Sequence, residues 1–170
     1  MSRSLPEWAV LGLLAEEPVH PFALARLLGP GGPLGRVLTV RRPLVYRAVE
    51  RLEAEGLAAR DRTEPGEAGP ERTVYRVTRA GKSLLEGWLD EPVAHVRELR
   101  LAFLLKLLLL DRRGRPAAGL VAAQRRVLSG TLERLAGLPE EPDAVDLWRH
   151  HNALAVEGFL ASLAGRIDPA

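Results

Sequence analysis

The sequence predicts a mainly α-helical protein carrying one small β-hairpin, and three observations carry that reading. Three short helical patterns run from Glu7 to Gly56. Two short extended segments separated by a Gly/Pro-rich turn follow them. From Thr78 onward the apolar spacing is helical again. With 170 residues, 46% hydrophobic and 27% charged, the chain holds enough apolar material to fold instead of staying disordered.

The first helix is apolar through Trp8, Val10, Leu11, Leu13 and Leu14, and Pro18 stops it. Pro21 suits the first turn of a second helix, where its missing N–H costs nothing, and the pattern continues to Leu28. Gly29-Pro30-Gly31-Gly32-Pro33 is a loop. A third helix begins near Pro43 and ends at Gly56, a C′ glycine by position. Its wheel groups Leu44, Val45, Ala48, Val49 and Leu52 on a core face, with Tyr46, Arg47 and Glu50 opposite. Leu57 to Arg62 reads as a strand, Glu64 to Pro70 as the turn, and Arg72 to Val77 as the returning strand. Tyr75 and Val77 are expected to face inward, and Arg72 and Arg76 outward. Three helices followed by a hairpin make a winged helix-turn-helix.

Charge is distributed unevenly. No Asp or Glu occurs from Pro18 to Val49, while Arg26, Arg36, Arg41, Arg42 and Arg47 all fall there, against a net charge of only +2. An Arg-rich composition produces such stretches by chance, but a polyanion partner requires them. On the third helix, a guanidinium fork and a phenol near the N-terminus suit the major groove. The candidate DNA contacts are therefore Arg41, Arg42, Pro43, Tyr46, Arg47 and Arg51, joined by Arg60, Arg62, Arg72 and Arg76 on the wing strands. Glu64, Glu67 and Glu71 argue that the wing tip stays out of the minor groove.

The stretch from Leu44 to Leu57 resembles the recognition helix of the PadR-type transcriptional regulators, and Tyr75-Arg76-Val77-Thr78-Arg79-Ala80-Gly81 resembles their wing exit, with Thr78 placed to cap the next helix. Val10-Leu11-Gly12-Leu13-Leu14 and His20-Pro21-Phe22-Ala23-Leu24 are similar as well, although the family usually has Gly-Tyr-Glu at Pro21-Phe22-Ala23. The resemblance implies a dimeric regulator, typically a repressor, with C-terminal helices for dimerisation, as in the longer branch of the family. It also implies a small aromatic or lipophilic effector, for which Trp8, Phe103 and Trp148 are the candidate lining, each equally readable as a core aromatic.

The C-terminal half continues the helical pattern. A helix starts at Thr78 with Leu84, Leu85, Trp88 and Leu89 and stops at Glu91-Pro92. A second is expected from Val93 to Leu110, apolar nearly all round from Leu101 onward; a third from Pro116 to Leu135 carries Leu120, Val121, Val127, Leu128 and Leu132. A last one, capped by Asp143, carries Val145, Trp148, Val156, Phe159 and Leu163 at seam spacing. So much apolar helix surface points to a subunit interface, with Phe103, Leu104, Leu107, Leu108, Trp148, Val156, Phe159 and Leu163 as the expected dimer contacts. The division expected is residues 1–91 for the winged helix-turn-helix and 92–170 for the helical dimerisation region.

Other functions find little support. Without cysteine there are no disulfides, thiolate nucleophiles or Cys-ligated metal centres, which fits a reducing cytoplasm. Neighbouring His150 and His151 point about 100° apart on a helix and cannot share a metal unaided. The glycine-rich loop lacks the Lys-Ser/Thr of a P-loop. No catalytic constellation stands out and no cofactor is expected. The N-terminus lacks a secretory pattern and the longest apolar run, broken by Arg100 and Lys106, is too short to span a bilayer, so a cytoplasmic protein is expected. The expected partners are double-stranded operator DNA, a second copy of the chain and a small effector. The competing reading is a winged-helix module that binds protein and no specific DNA.

Overall fold

In the computed structural model, which describes residues 3–66 and 69–167, the order is α1 (Leu5–Leu14), α2 (Pro21–Leu27), α3 (Arg42–Ala54), β1 (Ala58–Gly66), β2 (Gly69–Val77), α4 (Arg79–Asp90), α5 (Leu104–Arg112), α6 (Ala118–Ala136) and α7 (Ala144–Ile167). One 3₁₀ turn, Val96–Glu98, and one π turn, Leu99–Phe103, lead into α5. The mainly α class with a single hairpin is what the sequence predicts.

Helix α1 is apolar all round because it is central. Ala9, Val10, Leu11, Gly12, Leu13 and Leu14 are all buried, with α3, α4, α5 and β2 packed about it. Arg51 on α3 reaches Glu7 on α1 at 3.4 Å, and Glu7 accepts from the Ser4 backbone N–H at 3.1 Å, so α1 is tied to the C-terminal half of α3. Helix α3 ends at Gly56, whose φ of +70° is a left-handed position that a Cβ would strain.

The hairpin is longer than the sequence pattern indicates. Each strand has nine residues, and the predicted turn from Glu64 to Pro70 contributes both strand ends. Pro65 fits because a two-stranded ribbon has a free edge on every strand. Pairing runs Ala58↔Val77 to Gly66↔Gly69, with a bulge between Arg60 and Arg62 that leaves Asp61 extra. Across that bulge Val74 and Tyr75 are both buried, which strict alternation would forbid, while Val77 is half-buried. Val19 pairs with the other side of Tyr75, its N–H 2.9 Å from the Tyr75 carbonyl.

Thr78 caps α4 as expected, accepting from Gly81 N–H at 3.1 Å while its hydroxyl donates to the Gly56 carbonyl at 2.8 Å. A Cβ on Gly81 would lie 2.1 Å from the Leu57 carbonyl oxygen, so only glycine permits this approach of α4 to the strand.

The helix expected from Val93 starts later. Val93 lies outside any helix and is held by the fully buried Gln124 of α6: its N–H donates to Oε1 at 2.8 Å, and Nε2 donates to its carbonyl at 2.9 Å. With its backbone occupied, Val93 cannot open a helix, and winding begins after His95. Helix α5 then packs back on α1, where Leu109 fills the space over Gly12. Arg112 grips Glu16 at 2.8 and 2.6 Å, and Arg113 and Arg115 meet Glu86 of α4. One apolar core therefore runs from Ala9 through α5 and α6 to Leu160, continuous across residue 91.

This corrects three expectations. Phe103 is fully buried inside the chain and is no dimer contact. The apolar run of α5 is covered largely by its own chain, with Leu104, Leu107 and Leu108 only half-buried. Val127, expected among the packed positions of α6, is exposed. Among the described elements, α7 carries more of the exposed large apolar side chains than any other. Its inner face, Ala153, Val156, Leu160, Leu163 and Ala164, packs against the core, whereas Val145, Leu147, Trp148, Leu154 and Phe159 are exposed. Asp143 caps α7, accepting from Val145 and Asp146 N–H at 2.8 Å each.

Candidate nucleic-acid interface

Helix α3 presents Arg41 at its N-cap, then Arg42, Pro43, Leu44 and Arg47, all exposed, with Tyr46 half-buried. Leu44 belongs to this outer surface and not to the core face assigned to it from the wheel. It shares the i, i+3, i+7 stripe of Arg47 and Arg51, one step off the stripe of Val45, Ala48, Val49 and Leu52. Its hydrophobicity conceals this exposure in the sequence.

Carboxylate pairing divides the eight candidate arginines. Among the described residues, no carboxylate lies within 4.0 Å of Arg41, Arg42, Arg47 or Arg72. Arg51 is held by Glu7 and Glu55, Arg60 by Glu53, Arg62 by Asp61 and Glu64, and Arg76 by Asp61. Exposed pairs of this kind are weak and exchangeable. They nevertheless set the surface charge: the second group is neutralised within the chain, and the first presents bare positive charge. Arg51 moreover bridges α3 to α1, a structural task for a residue expected at the groove.

Arg72 and Arg76 thus part company, although both lie on β2. Arg76 is turned to Asp61, and Arg72 sits with its guanidinium carbon 5.3 Å from the centre of the Phe22 ring. The Arg42 guanidinium carbon lies 4.9 Å from the same ring and 5.6 Å from Tyr46. Phe22 comes from the first turn of α2, where His20 Nδ1 accepts from Ala23 N–H at 3.1 Å and Pro21 opens the helix. These residues line a cleft of about 410 Å³ between α2, α3 and β2. The sequence reading found the arginines but not Phe22. An aromatic in an otherwise acid-free basic stretch was the available signal. Glu64 and Glu71 frame the outer wing; Glu67 lies outside the described residues.

A second cleft, of about 780 Å³, lies where the hairpin does not reach, between α1, α4 and the turns before α5. Trp8 stacks on Trp88, centroids 4.6 Å apart and planes 7° from parallel, and the Lys106 ammonium sits 4.6 Å from the Trp88 ring centre. Lys106 is buried and donates to the Glu91 carbonyl. Burial pulls its pKa down to about 8, against the opposing pull of Glu91, Glu98 and Asp90. The expected partnership of Trp8 with Phe103 and Trp148 does not form: Phe103 is in the core and Trp148 stands exposed on α7. Nowhere among the described residues do three or more His, Asp or Glu side chains gather to hold a metal. No described helix is long and apolar enough to cross a membrane.

No curated protein matches the chain. Similar solved structures include a PadR-like transcription factor from Bacteroides fragilis, 24% identical over 48% of this chain and 73% of that one, with a TM-score of 0.39. They also include PadR of Bacillus subtilis in complex with operator DNA, 22% identical over 95% and 98%, TM-score 0.47. The same protein in complex with p-coumaric acid is 19% identical over 98% and 99%, TM-score 0.44. Residues 10–87, which hold most of α1, the whole of α2 and α3, the hairpin and most of α4, match the model of the transcriptional regulator PadR-like family.

Proposed function

We propose that this protein is a transcription regulator that acts in the cytoplasm as a homodimeric repressor, residues 1–91 contacting DNA and residues 92–170 pairing two copies. Each protomer lays α3 in a major groove, and the two half-sites of a near-palindromic operator lie about 34 Å apart. The observation that carries this reading is the cluster of Arg41, Arg42, Arg47 and Arg72, none of them in an ion pair with a carboxylate among the described residues. Arg47 reads a base edge, and Arg41, Arg42 and Arg72 hold backbone phosphate. Self-association rests on the outer face of α7, where Trp148 is 69% and Phe159 37% exposed. A small aromatic or lipophilic effector fits the cleft beside Trp8 and Trp88, which touches both the N-terminal helices and the turns leading into α5.

Selection of duplexes by the purified full chain tests the DNA reading. An enriched near-palindrome whose affinity falls linearly in log–log with salt, by about 0.9 per phosphate neutralised, is expected. No enrichment and no salt-sensitive binding would hand the protein to the competing reading, a protein-binding winged helix. Sedimentation tests assembly: a dimer at micromolar concentration is expected, and Trp148→Glu with Phe159→Glu should return a folded monomer with weaker operator binding. A monomeric wild-type chain would end the dimer proposal.

A further inference from the structure

We infer that Phe22 is a positioning residue of the DNA interface, its ring holding the guanidinium groups of Arg42 and Arg72 together as one phosphate clamp. The inference rests on the DNA-binding reading above and adds to it a residue that carries no charge and makes no base contact.

Two guanidinium carbons lie within 5.3 Å of one ring centre, so the two cations are brought to within about 10 Å of each other from different elements, α3 and β2. Among the described residues neither has a carboxylate within 4.0 Å, so no direct ion pair offsets their mutual repulsion. Glu50 and Glu71 line the same cleft without pairing with either. A folded protein that gathers unneutralised cations on a solvent-facing cleft leaves a site suited to an anion.

Phe22 itself is half-buried and stands outside the apolar core that Leu24 and Leu28 of the same segment join. Its neighbours are His20, whose ring centre is 6.2 Å away, and the two arginines. The ring's negative face offers an attraction to each cation that leaves the N–H groups at the guanidinium edge free for phosphate. It also restricts two long side chains that would otherwise lose much rotamer freedom on binding. Tyr46 supports the arrangement from the side, its hydroxyl accepting a long hydrogen bond of 3.4 Å from Arg42.

The test uses full-length protein and the selected operator duplex, titrated at several salt concentrations. Phe22→Leu and Phe22→Met, which keep an apolar side chain without a ring, should weaken binding by about 5- to 30-fold per half-site. They should flatten the salt dependence toward that of Arg42→Ala with Arg72→Ala. Phe22→Tyr and Phe22→Trp, which keep the ring, should bind like wild type. In the Phe22→Leu background, Arg42→Ala should cost clearly less than in wild type, because the two residues act as a unit. Thermal unfolding midpoints of the ring-free variants should match wild type. The inference is overturned if ring-free variants bind normally while Arg42→Ala and Arg72→Ala do not, or if both ring-free variants lose their unfolding midpoint and so mark Phe22 as packing. Failure of the DNA reading itself looks different: wild type would then show no salt-sensitive operator binding.

Discussion

Gln124 offers the sharpest test of how the two halves of the chain are joined. It is fully buried, and its amide satisfies both polar groups of the Val93 backbone, at 2.8 and 2.9 Å. Val93 lies directly after the last turn of α4, so this pair sets how α6 sits on the winged helix. Gln124→Leu keeps the volume and removes both partners. A buried backbone group left unpaired costs about 1–3 kcal/mol, so with two groups unpaired the variant should lose about 2–6 kcal/mol. That is a large share of the roughly 5–15 kcal/mol that holds an ordinary domain together. Denaturant unfolding followed by circular dichroism should show a lower midpoint at unchanged slope. Gln124→Glu gives an internal control. Its carboxylate still accepts from Val93 N–H but turns a second oxygen toward the Val93 carbonyl, and only the protonated acid restores the donor. The introduced carboxyl is therefore raised in pKa on folding, so its stability relative to wild type is best below the unfolded carboxyl range and declines as pH rises through the folded value. The leucine variant should show no such recovery in acid. A loss below about 1 kcal/mol for Gln124→Leu would refute the reasoning, because it would mean that the buried groups find other partners.

Three further outcomes are expected. Lys106 titrates at about 8 in the folded chain and near 10.5 unfolded, so the unfolded chain binds the extra proton between those values and stability should rise with pH across that window; Lys106→Met should flatten the rise, and identical unfolding profiles from pH 7 to 10.5 would contradict this. Gly81→Ala should cost about 1–3 kcal/mol despite alanine's higher helix propensity, since its Cβ meets backbone oxygen, whereas Gly87→Ala on the same helix has open space and should gain about 0.5–1 kcal/mol; thermal melts compare the two. Arg47→Ala should lose about 1–3 kcal/mol of discrimination between operator and scrambled duplex, while Arg76→Ala, whose side chain already holds Asp61, should change binding little on either, as read by parallel titrations.

Local patterns identified the elements because local physics makes them. Pro21 and Pro43 at helix starts, Gly56 at a left-handed cap, Thr78 and Asp143 as N-caps, and the stripe Val45, Ala48, Val49, Leu52 were all readable from residue type and spacing. Errors arose where a side chain's partner comes from elsewhere in the chain. Leu44 and Val127 look like core residues, yet the helices opposite them leave those flanks bare. The acidic Pro/Gly turn became strand because pairing across the ribbon extended farther than composition indicates.

By itself, then, the sequence determined the helix and strand inventory, the winged-helix order and the basic surface of α3. Those depend on neighbours within a few residues and on the local distribution of charge. Only the tertiary structure decided which arginines are already spent on carboxylates, that Phe22 gathers Arg42 and Arg72, that Gln124 pins Val93, and that α7 leaves more large apolar side chains exposed than α5. Each of these is a meeting of residues far apart in the chain, and periodicity along one element cannot tell which face another element will cover.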